Sequence, residues 1–189
     1  MNVYDFDRTI YDGNSWFDFY MFCLKKNPSI IKYAFLYIPE HFKYKKNIIS
    51  KSTAKETLFA FVSEMDNIED LVQEFWFFHS DKIKPIYYFQ QHKSTDLVIS
   101  ASPRFLLEPI CEYYQIKHLI ASEVSSKTGK FIDDNVYCYG EEKVKYFKKF
   151  YPNKTINLFF SDSETDKPLA KLAKKAFLVK GDKISEWKL

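Results

Sequence analysis

Apolar residues along this chain fall into two patterns. The first is a set of short unbroken runs that stop at polar or acidic turns. Residues 2–6, Asp96-Leu97-Val98-Ile99-Ser100, Ile156 to Phe160 and Phe177 to Val179 are of this kind and predict short buried strands. The second is recurrence at three- and four-residue spacing between about residues 14 and 92. Phe17, Tyr20, Met21 and Leu24 repeat this way, as do Leu58, Phe61, Val62 and Met65, which predicts helices with one apolar face. Asn27-Pro28-Ser29 and Pro39-Glu40 divide that region into separate helices. Further along, Ser102-Pro103 opens a helix, with serine as the N-cap and proline in the first turn. Residues 122–139 predict a hairpin around Lys127-Thr128-Gly129-Lys130. Gly140 to Phe150 predicts a helix with two glutamates in its first turn, and Lys167 to Lys175 predicts another.

Strand–helix alternation from residue 96 onward is the pattern of an α/β fold, a parallel sheet joined by crossover helices. The strand at residues 2–6 joins that sheet from a distance. Residues 14–92 are then a helical insertion, and residues 1–13 with 93–189 form the sheet-bearing unit. No internal repeat or low-complexity linker interrupts this organisation.

Composition narrows the function classes. The 189 residues are 46% hydrophobic and 19% aromatic, with 19 Phe and 14 Tyr, enough for a sizeable core. A net charge of +3 does not supply the concentrated basic face that nucleic-acid binding needs. Cys23, Cys111 and Cys138 are few and widely spaced, so reduced thiols in a cytoplasmic protein are expected, not a disulfide framework. Acidic residues arrive before any signal-peptide core. The longest apolar stretch, Ile30 to Ile38, is interrupted by Lys32 and ended by Pro39, short of the roughly 20 residues of a membrane span. Lys43-Tyr44-Lys45-Lys46 reads as a solvated helix face. His41, His79, His92 and His118 show no ligand-like pairing and read as surface or core residues.

Four segments carry candidate chemistry. In Val3-Tyr4-Asp5-Phe6-Asp7-Arg8-Thr9, two carboxylates lie one residue apart at a strand end. Alternate residues of an extended chain point the same way, so Asp5 and Asp7 share one space where open α/β sheets place their ligands. Two like charges so placed are costly unless a cation joins them, and a hard, oxygen-seeking ion such as magnesium fits. Asp162 and Asp166 follow the Phe159-Phe160 strand end, four residues apart, where one turn can aim both at a single site. Ser100 ends a buried strand and can donate its hydroxyl to a phosphate oxygen. Lys143 sits near a helix start, against the dipole, which is better explained if its ammonium faces an anion. Read alone, each segment has an ordinary structural role as a turn, a cap or a surface charge. Two acid-tipped strand ends in one chain favour a shared site.

In this order the four segments resemble the haloacid dehalogenase superfamily, in particular its phosphoserine-phosphatase-like branch. Asp5-x-Asp7-x-Thr9 looks like its first motif and Ser100, within Ile-Ser-Ala-Ser-Pro, its second. Lys143 within Tyr139-Gly140-Glu141-Glu142-Lys143 looks like the third, and Ser161-Asp162-Ser163-x-x-Asp166-x-Pro168-Leu169 the fourth. The resemblance implies a Rossmann-like three-layer core with an inserted helical cap. It also implies a phosphatase in which Asp5 attacks phosphorus and Asp7 moves protons. Ser100, Lys143 and Thr9 would lie on the substrate side. Mg2+ would be held by Asp5, the Asp7 backbone carbonyl and Asp162, with Asp166 in support. The sequence departs from the pattern at Arg8, where many members have glycine or a small residue, and at Asn14, where phosphoserine phosphatases carry a glutamate. The aromatic cap, with Phe75-Trp76-Phe77-Phe78, also resembles phosphatidylglycerophosphatase-C-like members. The implied partner is therefore a small phosphorylated metabolite or a lipid phosphate. Phosphoryl transfer to an organic hydroxyl and a catalytically silent binding module are the competing readings.

Overall fold

The computed structural model describes residues 1–85, 87, 93–132 and 137–189. Six strands form one sheet: β1 (Val3–Tyr4), β2 (Leu97–Pro103), β3 (His118–Ser122), β4 (Ile156–Ser161), β5 (Ala173–Lys180) and β6 (Lys183–Glu186). Their order is β3-β2-β1-β4-β5-β6, all parallel except the antiparallel β5–β6 pair. The two-residue β1 lies at the centre, with Val3 opposite Leu97 on one side and Phe159 on the other. The order reverses at β1, and that is where such sheets open a ligand crevice.

Successive strand residues face opposite sides of a sheet, and both sides here are buried. Val3, Leu97, Ile99 and Phe159 pack with Phe147 of α6 (Glu141–Phe150) and Leu169 of α7 (Lys167–Ala170). Tyr4, Val98 and Phe160 pack on the opposite face with Leu106, Leu107 and Ile110 of α5 (Arg104–Tyr113). This is the three-layer α/β arrangement expected from the alternation of elements.

Between β1 and β2 lie α1 (Ser15–Lys26), α2 (Ile31–Lys45), α3 (Lys51–Phe59) and α4 (Ile68–His79), the inserted helical cap. Asn14 caps α1 by accepting the Phe17 amide at 2.8 Å. Trp16 and Phe19 of α1 and Phe75 and Trp76 of α4 share the core of the adjoining sheet face, and Trp76 Nε1 donates to the Leu106 carbonyl at 2.6 Å. The chain enters and leaves the insertion side by side. Tyr11 bridges Ile83, and the Lys84 amide donates to the Ile10 carbonyl at 2.8 Å. The buried Lys84 ammonium binds the carbonyls of Arg8 and Gly181 at 2.8 and 2.7 Å, tying the turn after β1 to the β5–β6 turn.

The structure corrects the pattern reading in several places. α2 runs through Pro39 as one helix. Proline removes the donor to the Phe35 carbonyl, but Pro39 and Phe35 both lie on the exposed side, where water can satisfy that group. The helix expected to reach Lys175 stops at Ala170. Ala173 to Lys175 instead pair with Ile156 and Leu158 in β4, so sheet pairing overrides the helix propensity of alanine and lysine. β6 was not anticipated. It is reached through a tight turn at Gly181, whose φ of 57° suits a two-residue hairpin. The hairpin around Lys127 to Lys130 is confined to a bridge between Val124 and Phe131 and a turn closed by Ser125 N donating to the Lys130 carbonyl at 2.8 Å. Its farther arm includes residues 133–136, outside the described part.

That small turn holds the cap down. The Phe131 amide donates to Glu56 of α3 at 3.0 Å, and the Phe131 ring meets Phe59 edge-on. Gly129 fits only because it lacks a Cβ: its φ is +69°, and an added Cβ would collide with the Phe59 backbone carbonyl. Gly129→Ala is expected to lower unfolding stability by about 1–3 kcal/mol through strain and displacement of α3. A thermal melt at unchanged midpoint would contradict this role.

Candidate active site

Asp5, Asp7, Asp162, Asp166 and Lys143 come together at the strand ends. Asp5 follows β1, and its amide donates to the Phe160 carbonyl at 2.9 Å, which extends the β1–β4 pairing by one residue. The chain then curls tightly, with the amides of Thr9, Ile10 and Tyr11 all directed at the Phe6 carbonyl. Arg8 sits in this curl at φ 59°, the left-handed region that favours glycine. Arg8 therefore occupies a conformation that glycine adopts most readily.

Lys143 is on the first turn of α6 and almost fully buried. Its ammonium donates to Asp5 Oδ1 at 2.7 Å and to Asp166 Oδ2 at 2.8 Å. Ser161 Oγ donates to the same Asp166 oxygen at 2.8 Å. One cation is thus set between two buried carboxylates that come from the ends of β1 and β4. Burial pushes the Asp5 carboxyl up; Lys143 opposes that shift, while Asp166 and Asp7 add to it. Burial disfavours the Lys143 ammonium, but Asp166 and Asp5 more than offset this and hold it protonated well above the ordinary lysine range. The expectation that Lys143 faces an anion holds, and the anions are side chains of the protein.

Asp7 is held differently. Its Oδ1 accepts the Ser15 amide at the start of α1, at 2.6 Å, and its Oδ2 accepts the Ser102 hydroxyl at 2.7 Å. Helix starts favour such negative charge. The Ser102 hydroxyl also accepts from Ser15 Oγ at 3.2 Å. Ser102 is therefore not the cap of α5, whose N-cap position is Pro103 with no side-chain cap. Ser100 is buried next to it and accepts the Ser102 amide at 3.1 Å. Asp162 lies beside Arg8, with 3.8 Å between the nearest charged atoms, and burial pushes its carboxyl up.

Asp5, Asp7, Asp162, Asp166 and Lys143 line one cavity of about 380 Å³. That exceeds what a phosphate group alone would fill and lies in the usual range for small-molecule sites. Thr9 and Ser100 do not line it. Thr9 is buried against a separate, smaller hollow beside Tyr4 and Phe160, so it is not brought to the acid cluster, and among the described residues its hydroxyl has no partner. The cavity's far wall comes from the cap and was not foreseen: Tyr37 and His41 of α2, Lys51 and Lys55 of α3. His41 pairs with the Tyr37 hydroxyl at 3.2 Å, so it is a cavity residue and not only a surface one. Lys51 lies over the Tyr139 ring, 3.1 Å from its centroid. Burial, with Lys45 adding to it, pulls the Lys51 ammonium down to about 8, and burial with Lys51 does the same to Lys55. Four-residue spacing on a helix could have flagged this pair, but nothing local says which way α3 faces. Of the Phe75-Trp76-Phe77-Phe78 run, none lines the cavity. Phe75 and Trp76 are core, and Phe77 and Phe78 are exposed.

Among the described residues no cluster of three or more histidine, cysteine or acidic side chains is arranged as a metal cage. The donors that are present suit magnesium nonetheless. It keeps several waters and binds through one or two carboxylates, and Asp5 and Asp162 supply two hard oxygen donors on one cavity wall. Asp166 is already engaged by Lys143 and Ser161.

Removing the ammonium should leave two buried carboxylates facing each other. Lys143→Met is expected to cost about 3–5 kcal/mol at neutral pH. Lysine stays protonated from pH 5 to 8 in folded and unfolded chains, so the pH dependence comes from the carboxylates, which protonate on acidification. The deficit should therefore be larger at pH 8 than at pH 5. Denaturant unfolding at the two pH values checks this, and an equal deficit at both would contradict it.

Solved structures that share this fold include three of particular interest. One is a protein with unknown function from Bordetella pertussis Tohama I, with TM-score 0.70 and 15% identity over 93% of this chain and 87% of that one. The second is a phosphoserine phosphohydrolase-like protein from Francisella tularensis subsp. tularensis SCHU S4, with TM-score 0.65 and 18% identity over 93% and 86%. The third is a phosphoserine phosphatase as a phospho-aspartyl intermediate analogue, with TM-score 0.55 and 14% identity over 92% and 83%. No curated protein sequence matches the chain. The model of the haloacid dehalogenase-like hydrolases matches residues 3–171. The match spans all four motif segments and both units of the fold, and the chain belongs to the haloacid dehalogenase-like hydrolase family.

Proposed function

We propose that this protein is a magnesium-dependent phosphohydrolase acting on a phosphomonoester through an aspartyl-phosphate intermediate. The observation that carries the reading is the Asp5–Lys143 contact at 2.7 Å, on the wall of a cavity that also presents Asp7 and Asp162. In this reading residues 1–13 and 93–189 are the catalytic core and 14–92 the cap over it.

Asp5 is the nucleophile. One of its oxygens forms the bond to phosphorus as the bond to the leaving alkoxide breaks. Asp7 gives its proton to that alkoxide, then takes one from the water that hydrolyses the acyl phosphate. The Ser15 amide and Ser102 hydroxyl support this role by fixing the Asp7 carboxyl at the cavity edge. In its protonated form Asp7 exchanges the Ser102 bond for one to the leaving oxygen. Lys143 orients Asp5 and neutralises charge that spreads over the transferring phosphoryl group, with Asp166 and Ser161 holding it in place. Ser100 supports the site from behind, through the Ser102 amide. Asp5, Asp162 and the Asp7 backbone carbonyl would hold magnesium, with Asp166 in support. The ion's chemistry is to offset negative charge on the phosphoryl oxygens. Lys51 and Lys55, which have no carboxylate within ion-pair distance among the described residues, fit an anionic substrate entering from the cap side.

The test is phosphate release from a panel of phosphomonoesters with magnesium, for the natural chain and Asp5→Asn. The natural chain is expected to release phosphate and to lose that activity on chelation. The variant should fold but lose at least a thousandfold in kcat, about 4 kcal/mol of transition-state stabilisation. Near-normal hydrolysis by Asp5→Asn would refute the nucleophile assignment.

A further inference from the structure

The cap helix α2 has two unlike sides. Tyr37 and His41 line the cavity, and Tyr33 and Tyr44 are half-buried beside them. The other side carries Ile31, Phe35, Ile38 and Phe42, spaced four, three and four residues apart and therefore aligned. These four are 42, 67, 50 and 61% exposed, and not one residue of α2 is buried. The stripe runs about 16 Å along the helix. Leu36 and, just past the helix end, Ile48 add further exposed apolar surface. A contiguous apolar face of this kind marks an interaction surface, whereas scattered exposed residues do not.

The flanking charge says what covers it. Residues 31–48 hold four lysines and one glutamate, an excess of three, equal to the net charge of the entire chain. Lys32 and Lys43 pair with Glu64 and Glu40, while Lys45 and Lys46 have no ion-pair partner among the described residues. A second copy of this face would bring no free acid to Lys45 and Lys46, because Glu40, the one acidic residue of 31–48, is already paired with Lys43. A negatively charged surface complements it. No helix among the described residues is long and apolar enough to cross a membrane. An apolar stripe edged by lysines suits a helix lying in the interfacial plane.

We propose that α2 docks this protein on anionic membrane surfaces. Phe35, Ile38 and Phe42 enter the boundary between headgroups and acyl chains, and Lys45 and Lys46 contact lipid phosphates. The Tyr37 and His41 wall of the cavity then lies one helix width from the headgroups. The docking does not depend on the phosphatase reading, and it is measured without turnover.

The experiment is flotation of the full chain with vesicles of phosphatidylcholine alone and of phosphatidylcholine with phosphatidylglycerol. Binding is expected to the phosphatidylglycerol vesicles and to weaken as salt rises. Phe35→Glu/Phe42→Glu should reduce it at least tenfold, with an unchanged circular dichroism spectrum and an unchanged thermal midpoint. An environment-sensitive fluorophore on Ile38→Cys, read in the otherwise natural chain, should shift to the blue on adding the same vesicles. No binding to them, equal binding by the double variant, or no fluorophore shift would overturn the proposal. So would a concentration-dependent dimer that the double variant abolishes, because the face would then belong to a second copy.

Discussion

A lysine buried between two aspartates organises this molecule. Lys143 reaches Asp5 across 138 residues of sequence and Asp166 across 23. Burying any one of these charges alone would cost several kcal/mol, so each is tolerated only because the others are present. The three come from the end of β1, the start of α6 and the turn after β4. Their meeting fixes how the central strand, its neighbour and the covering helix are set. The balance is incomplete, with two carboxylates against one ammonium. Burial raises the Asp5 carboxyl, the negative charge of Asp166 and Asp7 adds to this, and that charge suits the site to a cation.

The surrounding structure serves that constraint. β1 is only two residues long, yet it is paired on both sides, and the Asp5 amide continues the pairing with β4. The next residues curl, placing Asp7 at the start of α1 and within reach of Ser102 from β2. Asp5 and Asp7 thus leave the same strand end with different partners, one an ammonium and the other an amide and a hydroxyl. In the proposed reaction those environments suit Asp5 to attack and Asp7 to proton transfer. The cap closes the space with Tyr37, His41, Lys51 and Lys55, held through the Gly129 turn against α3.

Much of the core was legible because its signals are local. An apolar run ending in acids reads as a strand end, and Asp5, Asp7, Asp162 and Asp166 were found that way. Lys143 was flagged by its awkward position near a helix start. What was not legible depends on tertiary pairing. Ser102 looked like a cap because Ser-Pro so often is one, and only the approach of α1 makes it a partner of Asp7. Thr9 belongs to the same short motif as Asp5, yet the tight curl after Phe6 turns it away. The Ala173 to Lys175 segment has helical residues but pairs with β4. Lys51, Lys55 and His41 reach the cavity only through the packing of α2 and α3 over the sheet, which no local pattern reports.

The covalent role proposed for Asp5 is open to one direct measurement. Rapid acid quenching during turnover of a phosphomonoester, followed by peptide mass spectrometry, should find one phosphoryl group on the peptide that contains Val3-Tyr4-Asp5, assigned by fragmentation to Asp5. Turnover with no phosphorylated peptide, or with the phosphoryl group on another residue, would contradict the account.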